Sequence, residues 1–146
     1  KKDRVEDALF ATKSALEDGI LPGGGAALLY ASEKIIYSDD KDIRLGQEII
    51  FNACYSPFKR ILENAGYKEE KIAEIYQGLI GLQHNWSGYD LKSNLVVDMK
   101  EKGIIDPAKV TKGALINAAS VASTILTTNN LVYERREDKK EQEQQF

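Results

Sequence analysis

Residues 1–36, KKDRVEDALFATKSALEDGILPGGGAALLYASEKII, set a charged periodic segment against a lone glycine, a proline, three consecutive glycines and a second periodic segment. In the first segment Val5, Leu9, Thr12, Leu16 and Ile20, with Ala8 and Ala15 beside them, recur at helical spacing. Gly19 can close that helix in the left-handed conformation. At about 100° per residue, Asp7 falls opposite the Val5, Leu9 and Leu16 stripe and points away from the packed face. Gly23, Gly24 and Gly25 then open a second helix, AALLYASEKIIY, that runs to Tyr37. Glycines let a backbone approach a ligand closely, and the free N–H groups at a helix start favour an anion or a polar sugar edge. The same residues also make an ordinary helix-to-helix turn, and no G-x-x-x-x-G-K-[ST] or strand-borne G-x-G-x-x-G accompanies them.

The whole chain limits what this turn can serve. Its 146 residues with 42% hydrophobic content suit one domain around one core. Twenty Lys and Arg against 23 Asp and Glu give a net charge of -3, and no basic stretch is interleaved with aromatics, so nucleic acid is not an expected partner. No apolar run reaches the ~18 residues of a membrane span, which argues against a membrane. Cys54 is alone, cannot form an internal disulfide, and reads as a buried small apolar residue in a reducing compartment.

Further helices follow. One spans residues 42–64, with Ile43, Ile50, Ala53, Ile61 and Leu62 inward and a break expected at Ser56 and Pro57, and Gly66 caps it. KEEKIAEIYQGLIG gives another through Ile72, Ile75, Tyr76 and Leu79. Residues 82–106 mix turn residues with a short apolar patch and read as loop, brief strand or hairpin, then turn. In DPAKVTKGALINAASVASTIL, Asp106 reads as the N-cap and Pro107 as the first helical residue, ahead of Val110, Ala114, Ala118, Val121 and Ile125. NLVYER is expected as a short strand, and the charged end ERREDKKEQEQQF as a mobile tail, because it has one apolar residue to bury. The architecture is mainly α.

Taken singly, the chemistry-bearing residues have plain structural roles open to them. Asp7 suits a solvated surface acid and Asp106 a helix cap. His84 has no neighbour at metal-ligand spacing, and no nucleophilic triad assembles around it.

Three stretches taken together, KKDRVEDALFATKSALEDGILPGGGAALL, GYD and GIIDPAKVTKGALINAASVASTILTTNNLV, closely resemble the C-terminal part of the group I chaperonins, the GroEL family. The likeness runs in order from Lys1 to about Tyr133. It implies an intermediate-domain helix over residues 1–18, the C-terminal half of the equatorial ATP-binding domain over 19–133 with a short β element, and a disordered charged tail over 134–146. It also implies that the chain is the later part of a longer subunit, with the apical domain and the GDGTT phosphate loop upstream.

Site residues carry over one at a time. Asp7, in RVEDAL, matches the family's catalytic aspartate, which orients the attacking water. Gly24, with Gly23 beside it, matches the glycine whose backbone lies against the nucleotide. Asp106 matches the acid that hydrogen-bonds the ribose hydroxyls, Ile104 an apolar contact to the base, and Asp90, in GYD, a position touching adenine. Leu91 and Lys92 stand where the family usually has two small residues beside the base. The metal ligand for Mg²⁺ is expected mainly from the upstream half, with none assigned in this chain.

The resemblance implies an ATPase that forms rings of identical subunits and cycles non-native proteins beneath a co-chaperonin lid, in the bacterial cytoplasm or in a mitochondrial matrix or plastid. A different class of function stays open: a non-hydrolysing module that keeps subunit contacts through strands such as NLVYER.

Overall fold

The computed structural model describes residues 2–82, 84–130, 132 and 133, as two compact units divided after Ala114. The first unit runs α1 (Lys2–Asp18), β1 (Ile20–Pro22), α2 (Ala26–Ser32), α3 (Lys41–Asn64), α4 (Glu69–Gly81), β2 (Ser87–Asp90), β3 (Leu95–Asp98) and β4 (Ile105–Pro107), then enters α5 (Ala108–Leu126). Its strands form two separate antiparallel ribbons, β1 with β4 and β2 with β3. The second unit carries the rest of α5, where Thr124, Thr127 and Thr128 hydroxyls donate back to carbonyls three or four residues earlier.

The core lies among α2, α3 and α4. Leu29, Phe58, Leu62, Ile72, Ile75 and Leu79 pack there, each at most 5% exposed, and each aliphatic burial contributes about 1.5–3 kcal/mol. Tyr55 meets Tyr76 edge-on at 5.2 Å, and Tyr67 meets Tyr89 at 5.9 Å. The α4 stripe read from the sequence is the observed one. Cys54 is buried as expected, and desolvation pushes its thiol pKa up.

Local chemistry explains the ends of the central helices. Asp40 caps α3, its carboxylate accepting the N–H groups of Asp42 (2.9 Å) and Ile43 (3.1 Å). At the other end Gly66 takes φ +89°, its N–H donates to the carbonyl of Glu63, and the N–H of Tyr67 donates to that of Leu62. That is a Schellman motif, which satisfies carbonyls a helix end leaves open.

Several readings of the sequence need correction. No break occurs at Ser56 and Pro57: α3 is continuous, because Cys54, Phe58 and Leu62 hold one face in the core. The bond Pro57 cannot make would have gone to Ala53, which is exposed, so water can satisfy that carbonyl. The second helix stops at Ser32 instead of Tyr37. There the Ser32 hydroxyl donates to the carbonyl of Leu29, bonds from Lys34 to Ala31 and from Ile35 to Ser32 tighten the chain, and Gln47 clasps the backbone of Ile36 and Ser38. Ile36 is left 89% exposed.

Asp106 does not cap α5. It lies in β4 opposite Leu21, and the first helical N–H, from Ala108, donates to the carbonyl of Gly19 at 3.0 Å. Lastly, several apolar stripes face outward: Val5, Leu9 and Leu16 on α1, Ile43 and Ile50 on α3, and Val110, Val121 and Ile125 on α5 are exposed. Periodicity shows that a helix has an apolar face, and it does not say what covers it.

Of the NLVYER strand, Asn130, Val132 and Tyr133 are not in strand conformation, and Leu131, Glu134 and Arg135 fall outside the described residues. The 134–146 tail also lies outside them. Among the described residues no helix is long and apolar enough to cross a membrane.

Candidate functional site

The first wall of the site is the glycine turn. As β1 ends, the N–H of Gly23 donates to the carbonyl of Ile104 at 2.9 Å, extending the pairing of Pro22 with Ile105 by one step. Gly24 and Gly25 follow at φ +66° and +79°, conformations that a side chain strains. Space is also closed at two of these positions. A Cβ on Gly23 would lie 3.0 Å from the Ile104 oxygen, and one on Gly25 would lie 2.7 Å from the backbone nitrogen of Phe58. The turn is therefore seated on α3 by one glycine and against residue 104 by another.

The second wall is formed by β4 and α1. Ala11, Thr12 and Ala15 of α1 face Ile20, Ile105, Asp106 and Pro107 across an open cleft of about 230 Å³. Desolvation raises the Asp106 carboxyl pKa above the ordinary carboxylate value. Asp7 lies on the same helix one turn before Ala11, exposed and outside the residues that line the cleft. The residues of α1 that meet β4 flank the Val5, Leu9 and Leu16 stripe, with Thr12 at its edge and Ala11 and Ala15 to one side.

A further acid named from the sequence is Asp90. It ends β2, is 9% exposed, and both carboxylate oxygens serve its own hairpin turn: Oδ1 accepts the Lys92 N–H (2.9 Å) and Oδ2 the Ser93 hydroxyl (2.8 Å). These bonds hold its pKa below the ordinary value. A carboxylate accepts about four hydrogen bonds, so lone pairs remain for an amino group, though it has no proton to give a ring nitrogen. Leu91 and Lys92 lie in the exposed loop of that hairpin.

The fold sets Gly23 against Ile104 and pairs Leu21 with Asp106, while Asp7 stands on α1 beyond the residues that line the cleft. Met99 lies between the turn at Gly24 and β2, the strand that Asp90 ends. Met99 is 1% exposed, donates its N–H to the Trp86 carbonyl and accepts from the N–H of Ile104, both at 2.9 Å. Met99 and Gly88 escaped the reading of the sequence. The chain's single methionine carries no motif, and its role depends on two strands that only the fold sets side by side. Among the described residues no three His, Cys, Asp or Glu side chains cluster as a metal site.

Residues 1–136 match the TCP-1/cpn60 chaperonin family. The chain belongs to that family. This chaperonin chain is also similar to a solved group III chaperonin in its open state, with 30% sequence identity and a TM-score of 0.70 over 82% of its own length. It spans 25% of the length of that chain. The mainly helical fold, with its short strands, is a chaperonin fold and corresponds to part of the equatorial domain.

Proposed function

We propose that this chaperonin chain supplies the nucleoside-facing part of an ATP-hydrolysing subunit of the group I type. In this reading residues 1–18 are the intermediate-domain helix and 19–133 belong to the equatorial domain. The observation that carries it is the cleft between α1 and β4, where Asp106 lines one side and Ala11, Thr12 and Ala15 of the helix that bears Asp7 line the other.

The chain's residues fit a nucleotide by chemistry. The bare backbone of Gly23 and Gly24 admits a planar base or sugar closely, with Ile104 as its apolar neighbour. Asp106 has two acceptor oxygens for a pair of ribose hydroxyls. Asp90 accepts from an exocyclic amine, and Leu91 and Lys92 border that approach. Bound ATP with Mg²⁺ supplies the phosphoryl group to be transferred. Asp7 accepts a hydrogen bond from a water and orients it, a positioning role of the kind that dominates phosphoryl transfer. The phosphate-loop contacts belong to sequence outside this chain.

Replacing Asp7 with Ala in the complete subunit should leave ATP binding intact and slow hydrolysis by about a hundredfold or more, as loss of a positioned acid–base group does. Turnover at the wild-type rate would remove Asp7 from the mechanism. The wider reading includes rings of identical subunits, non-native protein substrates, a co-chaperonin lid, and a bacterial cytoplasmic, mitochondrial or plastid setting.

A second reading is a non-hydrolysing module that retains subunit contacts. Leu91 and Lys92 favour it, since two large side chains occupy the loop beside Asp90. An ATPase assay with Mg²⁺ and negative-stain images of the complete subunit separate the two. Rings without turnover support the module.

A further inference from the structure

Two glycines from distant parts of the chain border the same side chain. A Cβ on Gly88 would lie 2.5 Å from Cγ, 2.6 Å from Sδ and 2.8 Å from Cε of Met99, and one on Gly24 would lie 3.2 Å from that Cε. The Met99 side chain therefore lies across the naked face of β2 and ends on the glycine turn. Its backbone is fixed independently of its side chain. The Met99 N–H is held by Trp86, one residue before β2, and its carbonyl by Ile104, whose own carbonyl holds Gly23. Strand β2 ends two residues beyond Gly88, at Asp90.

The two walls assigned above to the nucleoside, the turn at Gly24 and the hairpin at Asp90, are thus spaced by one buried thioether. We infer that Met99 is a positioning residue whose length sets the gap between Gly24 and the Asp90 hairpin, and so the affinity for the adenine nucleoside end of ATP. The inference rests on the nucleotide reading of this site. An unbranched side chain suits the task, because it reaches both glycines in a channel too narrow for branching over Gly88.

Two variants of the complete subunit alter the spacer from opposite sides. Met99→Leu keeps an apolar core residue of similar volume but is shorter and forked, so it loses the reach to Gly24. Gly88→Ala leaves Met99 in place and drives its chain toward the turn. Each should raise KM for ATP by roughly tenfold with kcat within about twofold, since small displacements of a positioning element act on this scale.

A purely structural role would lower the melting temperature and the active fraction while KM stayed constant. Wild-type KM in a folded Met99→Leu and a folded Gly88→Ala would overturn the positioning role alone. Failure of the wild-type subunit itself to bind ATP would overturn the nucleotide reading and this inference with it.

Discussion

The backbone N–H of Gly23 donates to the carbonyl of Ile104 at 2.9 Å, and a methyl group on Gly23 would stand 3.0 Å from that same oxygen. Both partners are backbone, so neither can swing aside. Gly23→Ala should therefore push β4 away from the turn, lowering stability in a urea melt by about 1–3 kcal/mol, the range for overpacking. ATP affinity should fall with it, measured by titration of the complete subunit. Unchanged stability would mean that the turn is looser than its contacts imply.

Gly66 offers the complementary case. It takes φ +89° with nothing within 4 Å of where a Cβ would sit. Gly66→Ala therefore adds conformational strain without crowding, and should cost about 1 kcal/mol in the same melt. The site is remote from the glycine turn in sequence, and ATP affinity should stay at the wild-type value.

Asp106 carries opposed demands. Desolvation raises its native pKa above the unfolded one, so the native state binds the proton more readily. The resulting penalty is complete above the raised value and disappears as pH falls below the unfolded value. Asp106→Asn should accordingly raise the melting temperature at neutral pH, with the gain fading in acid. The same change halves the carboxylate's acceptor set, so nucleotide affinity should fall while stability rises. A variant that lost both would show that Asp106 supports the fold instead of a ligand.

Asp90 should show the reverse pH dependence. Its native pKa lies below the unfolded value because the Lys92 N–H and Ser93 hydroxyl favour the charged form. Its contribution is present above the unfolded value and is lost as pH falls through the native one. Asp90→Asn keeps an oxygen for the turn and has no charge to titrate. A pH series of urea melts should show the wild type losing an increment on acidification that Asp90→Asn does not lose.

How far these features can be read from sequence depends on the range of the interactions behind them. The Gly66 cap, the α4 stripe through Ile72, Ile75 and Leu79, and the Gly19 stop depend on near neighbours, and all three were legible. The early end of α2 was not, because Gln47 holds Ile36 and Ser38 from within another helix. Asp106 has the local character of a helix cap, yet pairing with Leu21 places it in a strand. Pro57 misled in the other direction: a locally disruptive residue is tolerated where buried neighbours on both sides fix the helix. At the candidate site, the glycine turn is recognisable from its residue types. Its spacing through Met99 is not, since that residue joins Gly24 to Gly88 in three dimensions only.

The β1–β4 ribbon has a kinetic consequence. Leu21 pairs with Asp106 across nearly the whole first unit, whereas the β2–β3 hairpin and the α3–α4 pair close over short loops. Closure entropy rises with loop length, so local pairings form early and distant ones wait. The ribbon that carries Asp106 should therefore be among the last parts to zip. During synthesis the α2, α3 and α4 core can gather before β1 meets β4, and the cleft between α1 and β4 is complete only when residues 105–107 arrive.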